Sequence, residues 1–154
     1  MVQIPRTTTL LITGSSGYIG SFLVKHFQEK YKVIAFIENI NQALSLPKCD
    51  VIIHCAGRIP REGMDIMEFV WDNVEASRQL SILARDIPII FISTMAVYTH
   101  KAYGCSRLLG EYILKEYHGK TKILRLPRIV DGLTDDEDTV MGLENVARKI
   151  EAMI

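Results

Sequence analysis

The stretch Thr13-Gly14-Ser15-Ser16-Gly17-Tyr18-Ile19-Gly20 constrains the fold of this chain more than any other segment. A short apolar run, residues 8–13, precedes it. Residues 18–30 follow with helical periodicity, placing Ile19, Leu23, Val24 and Phe27 on one face. A strand that passes through three glycines into a helix is the opening of a βα unit. Gly14 permits the tight turn, Gly17 lets a ligand's phosphates approach the backbone, and Gly20 lets the helix pack closely on the strand. The first N–H groups of a helix have no intrahelical acceptors, so the turn at Ser16, Gly17, Tyr18 and Ile19 is built to face an anionic group.

The same alternation continues along the chain. Apolar, β-branched runs at 32–37, 51–55, 88–93 and 122–126 read as further strands. Helices are expected at 64–85 and 101–117, with a short helical piece at 41–46 that Pro47 helps to end. An acidic loop at 135–138 precedes a last helix in which Val140, Leu143, Val146, Ile150 and Met153 form an apolar stripe. This pattern predicts an α/β fold of the Rossmann type, a doubly wound parallel sheet of about five strands in three layers. Right-handed crossovers give the strand order 2-1-3-4-5, with a site at the carboxyl ends where the order reverses. Residues 1–154 read as one NAD(P)-binding domain with no separate substrate domain.

Glu38 lies 18 residues after Gly20, at the end of the second predicted strand. A carboxylate there can accept both hydroxyls of an adenosine ribose and would repel a 2′-phosphate. No Lys or Arg stands close to it in sequence, so NAD is expected over NADP. Lys plus Arg equals Asp plus Glu at 18 each, which argues against nucleic acid or an anionic membrane as the main partner. Cys49, Cys55 and Cys105 lack metal-ligand spacing and read as reduced thiols. With no secretory signal or long apolar run, a cytoplasmic protein without bound metal is expected.

The segments "TGSSGYIGS", "ENI", "CDVIIHCAG", "NVEAS", "FISTMAVY", "YGCSRLLGE" and "LRLPRIVDG" occur in that order over residues 8–132. Together they resemble the extended short-chain dehydrogenase/reductase family, the NAD-dependent epimerases and dehydratases of nucleotide sugars. The resemblance implies a catalytic set at Thr94, Tyr103 and Arg107. Thr94 would polarise a substrate hydroxyl or carbonyl, and Tyr103 would act as general acid/base. Arg107 stands where the family has a Lys that bonds the nicotinamide ribose. The resemblance further implies that Ala56, Gly57 and Arg58 run along the cofactor, that Asn73 lies near the active site, and that Pro127 faces the nicotinamide amide. The chain departs from the family in three other ways. One βα unit after the second strand is missing, the link from Tyr98 to Tyr103 is short, and the family's C-terminal substrate domain has no counterpart.

Two functions follow from these residues. The first is a minimal NAD-dependent oxidoreductase or epimerase-like enzyme acting by hydride transfer on a sugar nucleotide or a small carbonyl or alcohol. Arg58, Arg61 and Arg128 are then candidates for an anionic substrate group. The second is a non-catalytic NAD(H)-binding module, a sensor or scaffold. Family resemblance also implies a homodimer through helices 64–85 and 101–117, using Phe69, Val70, Leu80 and Leu83 on the first and Leu108, Leu109, Tyr112 and Ile113 on the second.

Overall fold

In a computed structural model, residues 7–130 and 140–154 are described. The first strand, β1 (Thr9–Thr13), is buried at every position, as a central strand covered on both faces must be. Because side chains alternate along a strand, its apolar run divides between two cores. Leu10 and Ile12 pack with Leu23 and Phe27 of helix α1 (Tyr18–Phe27), while Leu11 turns to the opposite face. Strands β3 (Val51–His54) and β4 (Ile89–Thr94) divide in the same way, with Ile53, Ile90 and Ile92 on the first face and Ile52, Ile89 and Phe91 on the second. Full burial of each such side chain contributes about 1.5–3 kcal/mol.

These strands and β2 (Lys32–Phe36) and β5 (Thr121–Leu126) form one parallel sheet in the order β2-β1-β3-β4-β5. This is the Rossmann-like arrangement that the alternating pattern predicts. Thr13 pairs with both Phe36 and His54, and Thr94 with Leu126, while His54 pairs with Phe91, so all five carboxyl ends lie on one side of the sheet with β4 and β5 running three residues further. The loops that leave them therefore gather along one edge of the sheet.

The helix expected at 64–85 begins where the Asp65 side chain accepts a hydrogen bond from the Met67 N–H at 2.8 Å. It runs as α2 (Ile66–Phe69), a π-helical stretch (Val70–Glu75) and α3 (Ala76–Ala84). Helix α4 (Ala102–His118) ends at Gly119, whose φ of +73° a glycine adopts without strain. Leu80 of α3 and Leu114 of α4 complete the second core.

Several boundaries differ from the sequence reading. Helix α1 stops at Phe27 rather than near residue 30, and the piece at 41–46 is a 3-10 turn, Ile40–Gln42, capped by the Asn39 side chain. Val140 is not helical: β7 (Val140–Gly142) pairs in parallel with β6 (Arg128–Val130), a two-stranded sheet that the helical stripe concealed. Helix α5 (Leu143–Glu151) follows it and seats Val146 and Ile150 against the first core. The acidic loop 135–138 lies outside the described residues. Of the side chains expected to face a second copy, Phe69 and Leu80 are buried within the protomer, whereas Val70, Leu109 and Tyr112 are exposed, as is Trp71. Among the described residues no helix is long and apolar enough to cross a membrane, and no group of three His, Cys, Asp or Glu is placed to hold a metal ion.

Candidate functional site

The glycine turn is held by close backbone approach. Gly14 has φ +64°, and a Cβ there would lie 2.6 Å from the Ala56 nitrogen. The end of β1 thus lies directly against the loop leaving β3. A Cβ at Gly20 would come within 2.8 Å of the Gly14 carbonyl carbon, so α1 seats on the turn only as glycine. Gly17 is the N-cap of α1 and no side chain caps the helix start. The Ser15 hydroxyl donates to the Phe36 carbonyl at 3.2 Å, tying the turn to the end of β2.

Beneath the turn, Thr13 Oγ1 lies 2.7 Å from Nδ1 of His54 and accepts from the Ala56 N–H at 3.3 Å. Complete burial, with the Arg107 charge adding to it, pushes the His54 pKa down to about 3, so this imidazole is neutral and structural. The Cys55 thiol is pushed up to about 12 by burial, which removes it as a nucleophile.

Two adjoining depressions open along the carboxyl edge of the sheet. The larger, about 530 Å³, is walled by Gly14, Gly17, Tyr18, Ile19 and Gly20 on one side and by Thr94, Tyr103, Arg107 and Pro127 on the other. The smaller, about 340 Å³, is lined by Ser16, Glu38 and Ala56 among others. Gly14, Gly57, Arg58 and Ile59 border both, so the two form one elongated cleft with the glycine turn at its middle. The structure therefore brings the catalytic and cofactor-binding candidates from the sequence to the wall of this cleft, whereas Asn73 is buried and lines neither depression. Arg61 is the exception among the anion candidates: it pairs with Glu68 at 3.2 Å and lines neither depression.

Thr94 ends β4, and its Oγ1 accepts from the Ala96 N–H at 3.1 Å, capping the 3-10 turn Met95–Tyr98. Tyr103 sits in the first turn of α4 with its ring 6.0 Å from that of Phe69. The short link between them is made workable by Gly104. A Cβ at Gly104 would lie 2.8 Å from the Ala96 carbonyl carbon and closer still to its oxygen, so α4 is pressed directly onto the turn after Thr94.

Arg107 is buried, only 4% exposed. Its Nη1 donates to the Ala56 carbonyl at 3.3 Å and its Nη2 to the Ile92 carbonyl, and the guanidinium lies 4.5 Å from the centre of the Phe91 ring. The fork thus joins the loop after β3 to β4, while its buried Nε has no hydrogen-bond partner. Burial pushes the guanidinium pKa down. Gly57 leaves room for this: a Cβ there would lie 2.9 Å from Asn73 Oδ1 and crowd Arg107 as well.

Asn73, on the π-helical stretch and 1% exposed, clamps the same loop. Its Oδ1 accepts from the Arg58 N–H at 2.7 Å, and its Nδ2 donates to the Arg58 carbonyl at 3.2 Å and to Ser106 Oγ at 2.9 Å. Ser106 in turn donates to the Tyr103 carbonyl at 2.7 Å. Arg58 is held by Asp72, Nε to Oδ2 at 2.7 Å.

Sequence reasoning missed a second buried cluster. Glu111, 2% exposed, accepts from Arg125 at 2.6 Å and from the Ser93 hydroxyl. Arg125 also donates to the Tyr98 hydroxyl at 2.6 Å, and its pKa is raised, chiefly by the hydrogen bond to Glu111. The cluster ties α4, β4 and β5 to the turn beside Thr94. The only signal for it in the sequence is the i, i+4 spacing of Arg107 and Glu111, which shows a polar stripe on α4 facing inward.

A family model described as the NAD dependent epimerase/dehydratase family matches residues 10–130. No curated protein matches the chain. Among solved structures it is similar to a dTDP-4-dehydrorhamnose reductase from Bacillus anthracis in complex with NADP, with TM-score 0.81, 18% identity, and 98% of this chain and 72% of that one covered. It is similar also to a UDP-glucuronic acid 4-epimerase from Bacillus cereus in complex with NAD, with TM-score 0.72, 19% identity, and 94% and 73% covered. A third, a glucuronic acid dehydrogenase from Chromohalobacter salexigens, gives TM-score 0.77, 18% identity, and 95% and 71% covered. At these identities the likeness is one of fold.

Proposed function

The chain belongs to the NAD-dependent epimerase/dehydratase family, and on that premise we propose that it binds NAD(H) along the cleft and serves as a minimal oxidoreductase or epimerase-like enzyme. The observation that carries this reading is the cleft itself, with the glycine turn at its centre, Glu38 at one end, and Thr94 and Tyr103 at the other. The residues fit the cofactor. The turn leaves a bare helix start for the two phosphates, and any side chain at Gly14 would meet the backbone of Ala56. Glu38 would take the adenosine ribose hydroxyls, and the nearest guanidinium on that wall, Arg58, already has Asp72 as its partner. That arrangement favours NAD over NADP. Ala56, Gly57 and Pro127 would supply backbone along the remaining length.

NAD accepts or donates the hydride when bound; the chain's own groups orient the substrate and manage its proton. Thr94 would align the reacting oxygen, and the Tyr103 hydroxyl would give up or take its proton. Arg107 contributes a permanent positive charge at the floor of the cavity and cannot relay a proton as a lysine can. A sugar nucleotide or a small carbonyl or alcohol is the substrate class this reading implies.

One observation favours a second reading, a non-catalytic NAD(H)-binding module: Arg107 bonds backbone carbonyls where the family's Lys serves the reaction. NADH fluorescence titration tests the shared claim, with NADH expected to bind more tightly than NADPH and Gly17→Val to lose binding. Loss of NADH absorbance with carbonyl substrates, abolished in Tyr103→Phe at unchanged NADH affinity, separates the two. Turnover that survives in Tyr103→Phe refutes the assigned proton donor. A homodimer belongs to the same proposal, since Met67, Val70 and Trp71 on one helix and Leu109 and Tyr112 on the next leave an exposed apolar surface. Light scattering that returns the protomer mass at micromolar concentration would overturn the dimer.

A further inference from the structure

Strand β2 closes the sheet on one side, with β1 as its neighbour. Residues 37–50 lead from it to β3 without another strand, so among the described residues nothing pairs with its outer edge. The Lys32 N–H donates to the Thr8 carbonyl and the Phe36 carbonyl accepts from Ser15, so the even-numbered backbone groups point inward. Alternation then aims the N–H and C=O groups of Val33 and Ala35 away from the sheet, and Ile37 continues that row just past the strand. Among the described residues none of these groups has a backbone partner outside the sheet.

A groove of about 600 Å³ follows this edge, between β2 and the chain from Gln42 to Pro47. Its apolar side chains are bare, with Ile37 84% and Leu44 95% exposed. An open strand edge beside uncovered apolar side chains is a template for another strand.

The segment is complementary to itself. It reads Lys32-Val33-Ile34-Ala35-Phe36-Ile37-Glu38, with a cation at one end and a carboxylate at the other. A second copy laid antiparallel about a two-fold axis at Ala35 sets Val33 opposite Ile37, and Ala35 opposite itself. Outward groups then meet outward groups, and each such pair can exchange both of its N–H···O bonds. The same register sets Lys32 opposite Glu38 of the second copy and Ile34 opposite its Phe36. The smallest side chain of the strand stands at the axis, where bulk would be least tolerated. Strand β5, at the other end of the sheet, offers no such match, because its charged residues, Lys122 and Arg125, are both cations.

We infer that this edge is an interface between copies of the chain, in which two β2 strands pair antiparallel and join two sheets into one. It uses none of the exposed residues of α2 and α4, and it does not depend on what the cleft binds. It does meet the cleft, because Glu38 borders both the groove and the smaller depression. An ammonium on one oxygen of the Glu38 carboxylate leaves the other oxygen for a sugar hydroxyl, so the two uses are compatible.

Sedimentation velocity of the full chain across micromolar concentrations tests this, in a Leu109→Glu background that breaks association through α4. That variant should still form a dimer. Ala35→Pro added to it should leave only the protomer, because proline removes an outward N–H that β1 does not use. Its far-ultraviolet circular dichroism should match that of the background. Lys32→Glu in the same background should weaken the dimer about tenfold, since two cross-strand attractions become repulsions. Lys32→Glu combined with Glu38→Lys should restore it, a rescue that a merely unfolded or less soluble variant would not show. A Leu109→Glu protein that sediments as the protomer, a dimer indifferent to a folded Ala35→Pro, or a charge swap that fails to restore association overturns the inference. Should Ala35→Pro unfold, the charge swap decides alone. NADH binding enters none of these readings, so its failure would count against the cofactor proposal and leave the edge interface standing.

Discussion

Replacing Gly104 by Ala adds one methyl group where α4 meets the turn after β4. The new Cβ would sit 2.8 Å from the Ala96 carbonyl carbon, while carbon atoms rest at about 3.5–4.0 Å. Helix α4 must therefore back away by about 1 Å, or the turn Met95–Tyr98 must yield. The turn is pinned by the Thr94 hydroxyl and by Arg125 on Tyr98, and the helix by Asn73 through Ser106 and by the Glu111 cluster. Overpacking of this kind costs about 1–3 kcal/mol. Against it stands the intrinsic gain of Ala over Gly in a helix, at most about 1 kcal/mol. The expected net loss is about 1–2 kcal/mol, a fall in Tm of about 2–8 °C for a chain of this length. Turnover should suffer more than stability, because a 1 Å displacement of Tyr103 from Thr94 costs about 100-fold in rate. Circular-dichroism melting of Gly104→Ala beside Gly110→Ala is the assay. At Gly110 the nearest atom to a new Cβ is the Ser77 hydroxyl at 2.7 Å, a group that can rotate, so the loss there should be smaller. A Gly104→Ala protein that melts at or above the parent would refute the close approach on which the Thr94–Tyr103 geometry depends.

Glu111→Ala leaves Arg125 without its carboxylate and Ser93 without its acceptor. Because Arg125 is partly exposed, the loss should fall near the low end for broken buried pairs, about 3 kcal/mol, read as a Tm lower by about 6–12 °C; a change under 2 °C would contradict it. His54 has a folded pKa near 3 against 6.5 unfolded, so the unfolded chain takes the proton first and stability falls as pH drops below about 6.5. At pH 5 this amounts to about 2 kcal/mol, and urea unfolding of His54→Phe should show a flatter slope between pH 6.5 and 5 than the parent; an unchanged slope would exclude His54 as its source. Arg107→Lys exchanges a fork bridging two carbonyls for a single ammonium, so stability should drop by about 1–3 kcal/mol while NADH binding is retained. Turnover equal to or above that of the parent would show that the arginine is held for structure, and its loss together with NADH binding would show that the fork shapes the cofactor site.

The sequence by itself determined the alternation of strands and helices, the order of the sheet, and the glycine turn with Glu38 beyond the second strand. These features are set by local periodicity and by right-handed connection, both of which a linear chain displays. It also pointed to Thr94, Tyr103 and Arg107, because each lies in a segment that resembles the family and the last two keep its four-residue spacing. Tertiary structure alone decided what those residues touch. That Gly104 must be glycine follows from Ala96 in the turn against which α4 packs, and nothing in "YGCSRLLGE" announces that neighbour. The role of Arg107 depends on two carbonyls, 51 and 15 residues away in sequence, that meet only when β3 and β4 pair. The pairing of β6 with β7 was hidden because three residues fit a helical stripe as well as a strand, and only the partner across the gap distinguishes them. Among the described residues lining the cavity, Arg58, Arg107 and Arg128 come from three separate segments that only the assembled sheet brings together. Charges balance along the chain as a whole, and only the fold sets which of them meet, as Arg58 meets Asp72 and Arg125 meets Glu111.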